Sequence, residues 1–142
     1  MIVSTNMYHY GKIADTPADN TMGRYFTGRV EIKKMVSELQ SKEVEMFLVS
    51  FFKGARTKIH YHETDQILLA TEDGGALGTQ SSVKSLDGSG GAARIDFEVR
   101  RLAKGDFVCI PAGTWHWHGA AEGVDFAHLQ AKRPGKTVWL ED

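Results

Sequence analysis

The chain has 142 residues, with 17 Lys and Arg against 18 Asp and Glu, a balance that argues against nucleic acid or an anionic membrane as partner. Its single cysteine, Cys109, excludes an internal disulfide, and a chain of this length buries enough surface, about 70% of what it exposes unfolded, to need none. No apolar run reaches the ~18 residues of a membrane span, and "MIVSTNMYHYGK" lacks the basic-then-apolar order of a signal peptide, so a cytoplasmic protein is expected.

Residues 1–28 carry a weak pattern and read as an N-terminal arm lying against the rest of the fold or a neighbouring subunit. His9, alone in this arm, reads as a surface residue. Residues 29–142 read as a single domain. Within them, "VEIKKMVSELQSKEVEMF" could hold one short helix around Val36 and Leu39. Most of the remainder is short β-branched and aromatic runs punctuated by Gly, Asp and Pro. These are "RVEIKKM", "EMFLVSFF", "TKIHYHE", "QILLAT", "ARIDFEVRRL", "DFVCIP", "TWHWHG" and "VDFAHLQAK". They predict an all-β sandwich, jelly roll or closed barrel with at most one or two short helices. "SLDGSGGAA", Ser85 to Ala93, reads as a loop joining two strands of a hairpin. Cys109, in an apolar run, is expected to be a buried small hydrophobe.

Five of the six histidines fall in three of these strands. Strand side chains alternate, so His60 and His62 share a face, with Tyr61 opposite. His116 and His118 likewise share a face, with Trp115 and Trp117 turned outward, where they cover the barrel or a subunit contact. His128 shares a face with Phe126 and Gln130. Two imidazoles on one strand face suit a divalent ion, and a tight turn would bring the Gln66 amide oxygen back to the same cavity. The competing reading is a set of core histidines satisfied by hydrogen bonds. Two such pairs favour the ion, because an ion satisfies several buried polar groups at once.

The spacing resembles the two motifs of the cupin superfamily. Gly54 is followed after five residues by His60-Tyr61-His62, and after three more by Gln66. Gly105 is followed after five residues by Pro111-Ala112-Gly113, and after two more by His116. The resemblance implies a cupin jelly-roll, a double-stranded β-helix barrel, with His60, His62, Gln66 and His116 as metal ligands. Three departures accompany it: Gln66 stands for the usual Glu, the first motif's closing glycine falls one place late at Gly74, and Ala120 stands for the usual Asn. Three imidazoles and an amide leave the ion's charge uncompensated, which makes it a stronger Lewis acid but a less tightly held one.

"YFTGRVEI", "GARTKIHYHETDQILLAT", "HWHGAA" and "AHL" are also similar to small bacterial cupins that include manganese-dependent hydroxynitrile lyases. That likeness implies a manganese cofactor, with iron, zinc or nickel as alternatives, acting as Lewis acid on a small hydroxy or carbonyl substrate. It further implies His118 as general base; the alternative is a residue that fixes its neighbours by hydrogen bonding. His128 either orients the substrate or is a satisfied core histidine. Rival functions are a quercetinase-like iron dioxygenase and a non-catalytic, metal-anchored small-molecule binding module. Phe51, Ile59, Leu68, Phe107 and Phe126 are the candidate apolar wall, and exposed tryptophans and sheet edges suggest a homodimer.

Overall fold

A computed structural model describes residues 7–20, 23–85 and 93–140. Two antiparallel sheets enclose one core. In chain order the strands are β1 (Ala18–Asp19), β2 (Phe26–Thr27), β3 (Val30–Val36), β4 (Glu45–Phe51), β5 (Arg56–Thr57), β6 (His60–His62), β7 (Gln66–Ala70), β8 (Gly75–Ser85), β9 (Ala93–Leu102), β10 (Phe107–Ile110), β11 (His116–Ala120), β12 (Phe126–Lys132) and β13 (Thr137–Trp139). One sheet runs β1-β3-β4-β12-β7-β10; the other runs β13-β6-β11-β5-β2, with β8 joining β11 to β9. This is the all-β cupin architecture that the motifs implied.

The helical structure among the described residues is two single turns of 3-10 helix, Ile13–Asp15 and Gly23–Tyr25. The segment after Val36, expected to allow a short helix, forms a turn instead, with Gln40 N–H donating to Ser37 O at 3.0 Å. Its few apolar side chains offer no face to bury: Leu39 is 86% exposed. Chain segments in the N-terminal 28 residues add to both sheets, β1 on β3 and β2 on β5.

Strand alternation decides what points inward. On β7, Gln66, Leu68 and Ala70 are buried while Ile67 and Leu69 face out. Val30, Ile32, Val49, Phe51, Leu68, Leu77, Leu102, Ile110 and Phe126 fill the space between the sheets. Burying a side chain the size of Phe51 or Phe126 contributes about 1.5–3 kcal/mol each.

Of the expected wall residues, Phe51, Leu68 and Phe126 belong to this core, and Phe107 and Ile59 do not. Phe107 is 76% exposed. It pairs with outward Leu69, and its neighbour Val108 turns to the core instead, so the expectation was one residue out of register. Ile59 precedes inward His60 and is only half-buried. Cys109 sits on the same outward face as Phe107 and is exposed rather than buried. β8, which the strand runs did not name but the expected hairpin requires, pairs along its length with β9. The expected hairpin connection has its middle, 86–92, outside the described residues.

Candidate metal centre

The site lies where the inward faces of four strands meet. β6 and β11 pair with His116 opposite His60, and β12 pairs with β7 so that Lys132 lies opposite Gln66 and Gln130 opposite Leu68. Gly113 closes the turn before His116: its φ of 79° is left-handed backbone that glycine adopts without strain. From there its N–H donates to His62 O at 2.8 Å, tying the two histidine segments together.

His60, His62 and His116 are all buried, and their ligand nitrogens lie within 4.8 Å of one another. His60 Nδ1 donates to Lys58 O at 2.7 Å and His116 Nδ1 to Thr114 O at 2.8 Å. These bonds fix both tautomers, so each Nε2 presents a lone pair. His62 Nδ1 is bonded to Thr137 Oγ1 at 2.9 Å, and its Nε2 is buried with no hydrogen-bond partner. Gln66 Nε2 donates to Gln130 Oε1 at 3.0 Å, which turns Gln66 Oε1 toward His116 Nε2 at 3.1 Å. Two lone pairs therefore meet there, beside an orphaned third nitrogen. A divalent cation resolves all of this at once, so the donor set fits the metal that cupins carry.

The electrostatics agree. Burial holds His60 well below the usual histidine range, helped by the charges of His116, His62 and Lys132 and opposed by the bond to Lys58. Burial, then His116 and Lys132, holds His62 down to about 3. Burial also lowers His116. All three are neutral near pH 7, the form that binds metal.

Behind this cluster lies a second pair. His118 Nδ1 and His128 Nε2 share a hydrogen bond of 2.8 Å. Burial, then the charge of His128, holds His118 well below its ordinary range, and burial brings His128 down to about 4. The backbone N–H of His118 donates to Thr57 Oγ1 at 3.1 Å. Phe51 packs against both rings, edge-on to His118 at 6.0 Å and tilted over His128 at 5.2 Å. Trp115 and Trp117 face out as expected. Trp115 meets Tyr61 edge-on at 4.7 Å, and Trp117 lies under the Arg56 guanidinium at 4.3 Å.

A cavity of about 390 Å³ opens on these groups, lined by His60, His62, Gln66 and His118 and by apolar Phe26, Phe47 and Val49. Its mouth carries residues that the motif reading missed. Trp139, on β13, stacks on Tyr25 at 4.2 Å and leans on the His60 ring at 4.5 Å. Thr137 on the same strand orients His62. No motif marks either; they reach the site only because β13 pairs with β6. Lys132 was within reach of sequence reasoning, since it continues the Phe126, His128, Gln130 alternation by one step.

No family model matches the chain. It is 34% identical over 128 residues to an (R)-mandelonitrile lyase of Granulicella tundricola, covering 88% of this chain and 82% of that protein. A cupin-like protein of Thermotoga maritima aligns over 96% of this chain and 90% of its own, with a TM-score of 0.62 and 30% identity. A polyketide cyclase of Streptomyces resistomycificus shares the fold at a TM-score of 0.70 and 15% identity, over 96% of this chain and 89% of its own. Motifs, barrel and relatives agree: the chain belongs to the small, metal-binding cupins related to hydroxynitrile lyase.

Proposed function

We propose that the protein is a metal-dependent lyase that cleaves a small cyanohydrin-type substrate, with His60, His62, Gln66 and His116 as ligands and manganese as the ion. The observation that carries this reading is the buried His118–His128 pair beside an all-neutral donor set. The name of the Granulicella tundricola relative supplies the reaction class. When bound, the ion supplies Lewis acidity toward the substrate oxygen.

The protein's own residues do the rest. The apolar wall excludes water and receives the hydrocarbon part of the substrate. His118, held by Thr57 and His128, takes the hydroxyl proton on Nε2, its remaining ring nitrogen. The carbon–cyanide bond breaks, its electron pair leaves with cyanide, and the oxygen becomes a carbonyl. His118 returns the proton to cyanide, so one hydrogen cyanide and one aldehyde form per cyanohydrin. His128 keeps the His118 ring oriented through the proton shared between them.

The test is release of hydrogen cyanide and benzaldehyde from racemic mandelonitrile by the manganese-restored protein, with dioxygen uptake followed in parallel. Cyanide release without oxygen uptake supports the lyase. Oxygen consumption by the iron-loaded protein with no cyanide release would replace it with the dioxygenase reading, and tight binding without any turnover would leave a binding module.

The outer face of the β3-containing sheet supports a homodimer. Leu48, Leu129, Leu69 and Phe107 form one apolar row across four neighbouring strands, and Met46, Ala131, Ile67 and Cys109 form the next. An exposed apolar face of this kind is one that a second copy could cover about a two-fold axis.

A further inference from the structure

Lys132 is the unexpected residue of the cavity. Its side chain is 7% exposed and its ammonium lies 2.8 Å from Glu45 Oε1, itself 18% exposed. An apolar pair at these facing positions of β12 and β4 would hold the barrel as well, because desolvating two charges offsets most of their attraction. Stability alone therefore does not explain the pair.

The charge inventory points to a ligand. The proposed metal donors are all neutral, and among the described residues the carboxylates lining the cavity are Glu38, which is exposed, and Glu45. Lys34 at the cavity rim is engaged by Asp19 at 3.3 Å. Glu45, a half-buried carboxylate of the wall, is engaged by Lys132. Lys132 lies opposite Gln66 across the β12–β7 pairing and lines the same cavity as His60 and His62. Glu45 balances only the Lys132 charge, so a bound divalent ion would still leave the cavity positive and favour a negative group beside it. Lys132 also has a donor to offer: of its three N–H groups, one meets Glu45 and one donates to Arg133 O at 3.3 Å, which leaves one among the described residues for the cavity it lines.

We propose that Lys132 makes this an anion-binding cavity, in which a small anion carried or released by the substrate is held between the three-histidine cluster and the Lys132 ammonium. Glu45 tunes that ammonium by competing with the anion for it. The inference rests on the metal-site reading above and names the class of molecule the site takes: one that bears or sheds a small anion.

The experiment is isothermal titration of the manganese-loaded protein with sodium azide at fixed ionic strength, with benzyl alcohol as the neutral probe. Lys132→Met should weaken azide binding at least tenfold and leave benzyl alcohol within twofold. Lys132→Arg should retain azide binding within about threefold. Glu45→Gln should tighten azide several-fold, and the double variant Glu45→Gln/Lys132→Met, which leaves no unpaired buried charge, should behave as Lys132→Met. Equal azide affinity in wild type and the double variant, or no gain in Glu45→Gln, overturns the proposal, as does an absence of azide binding to wild type. Cyanide release is measured separately. Lys132-dependent azide binding without cyanide release would sink the lyase reading alone, and the reverse would sink this one alone.

Discussion

His118 Nδ1 and His128 Nε2 lie 2.8 Å apart inside the barrel, both rings buried. In a bond between two neutral imidazoles one donates and the other accepts, so the His128 tautomer dictates whether His118 offers the cavity a lone pair or an N–H. His118→Ala should lower kcat by about 10²–10⁴ while metal content, measured by elemental analysis, stays near wild type. His128→Phe should lower kcat less, by roughly tenfold, and shift the pH profile of kcat/KM, because it frees the His118 ring without removing it. Loss of metal in His118→Ala would instead make that residue part of the metal shell.

Acid should unfold the metal-free protein through its buried histidines. His128 is held at about 4 by burial and His62 at about 3. The unfolded chain protonates these rings near 6.5, so it binds more protons than the folded one between these values. Stability is fully present above pH 6.5 and falls as the pH drops toward 3. Thermal unfolding from pH 7.5 to 4 should show a monotonic fall in Tm that is shallower in His128→Phe. A flat Tm over that range would mean that the rings are not buried as neutral groups.

The ion should stabilise the fold. A cation present at a hundred times its Kd contributes about 2.7 kcal/mol if it binds only the folded chain. Chelation should therefore lower Tm by several degrees, and His60→Ala should abolish the difference between chelated and metal-loaded protein. Gln66→Glu should raise metal affinity, because a carboxylate compensates the cation's charge, and lower turnover through weaker Lewis acidity. Competition with a fluorescent chelator reads the first effect and cyanide release the second.

Thr137 meets His62 on the side away from the cluster, 2.9 Å from Nδ1. Thr137→Val keeps the shape but removes the hydroxyl, and should weaken metal binding by about 10–100-fold without unfolding the barrel. Unchanged affinity would show that β13 orients His62 by packing alone.

Phe107 and Leu69 face each other on the outside of the barrel. If a second copy covers that face, Leu69→Arg should give a monomer by light scattering, and the Cys109 thiol beside it should label slowly in the wild type and quickly in the variant. A monomeric wild type removes the dimer.

The sequence by itself determined the architecture and the three-histidine set. Turn residues, short β-branched runs and the spacing of Gly54, His60, His62, Gly105, Pro111, Gly113 and His116 are local properties, and strand parity alone puts each histidine pair on one face. The same parity, applied one residue out of step, sent Phe107 and Cys109 inward, because a period of two carries no label for which face is the core. Only the tertiary structure decided that Thr137 and Trp139 reach the site, that His118 bonds to His128, and that Lys132 meets Glu45 at its wall. Those are contacts between strands distant in sequence, and their geometry follows from sheet register, which no short stretch of chain encodes.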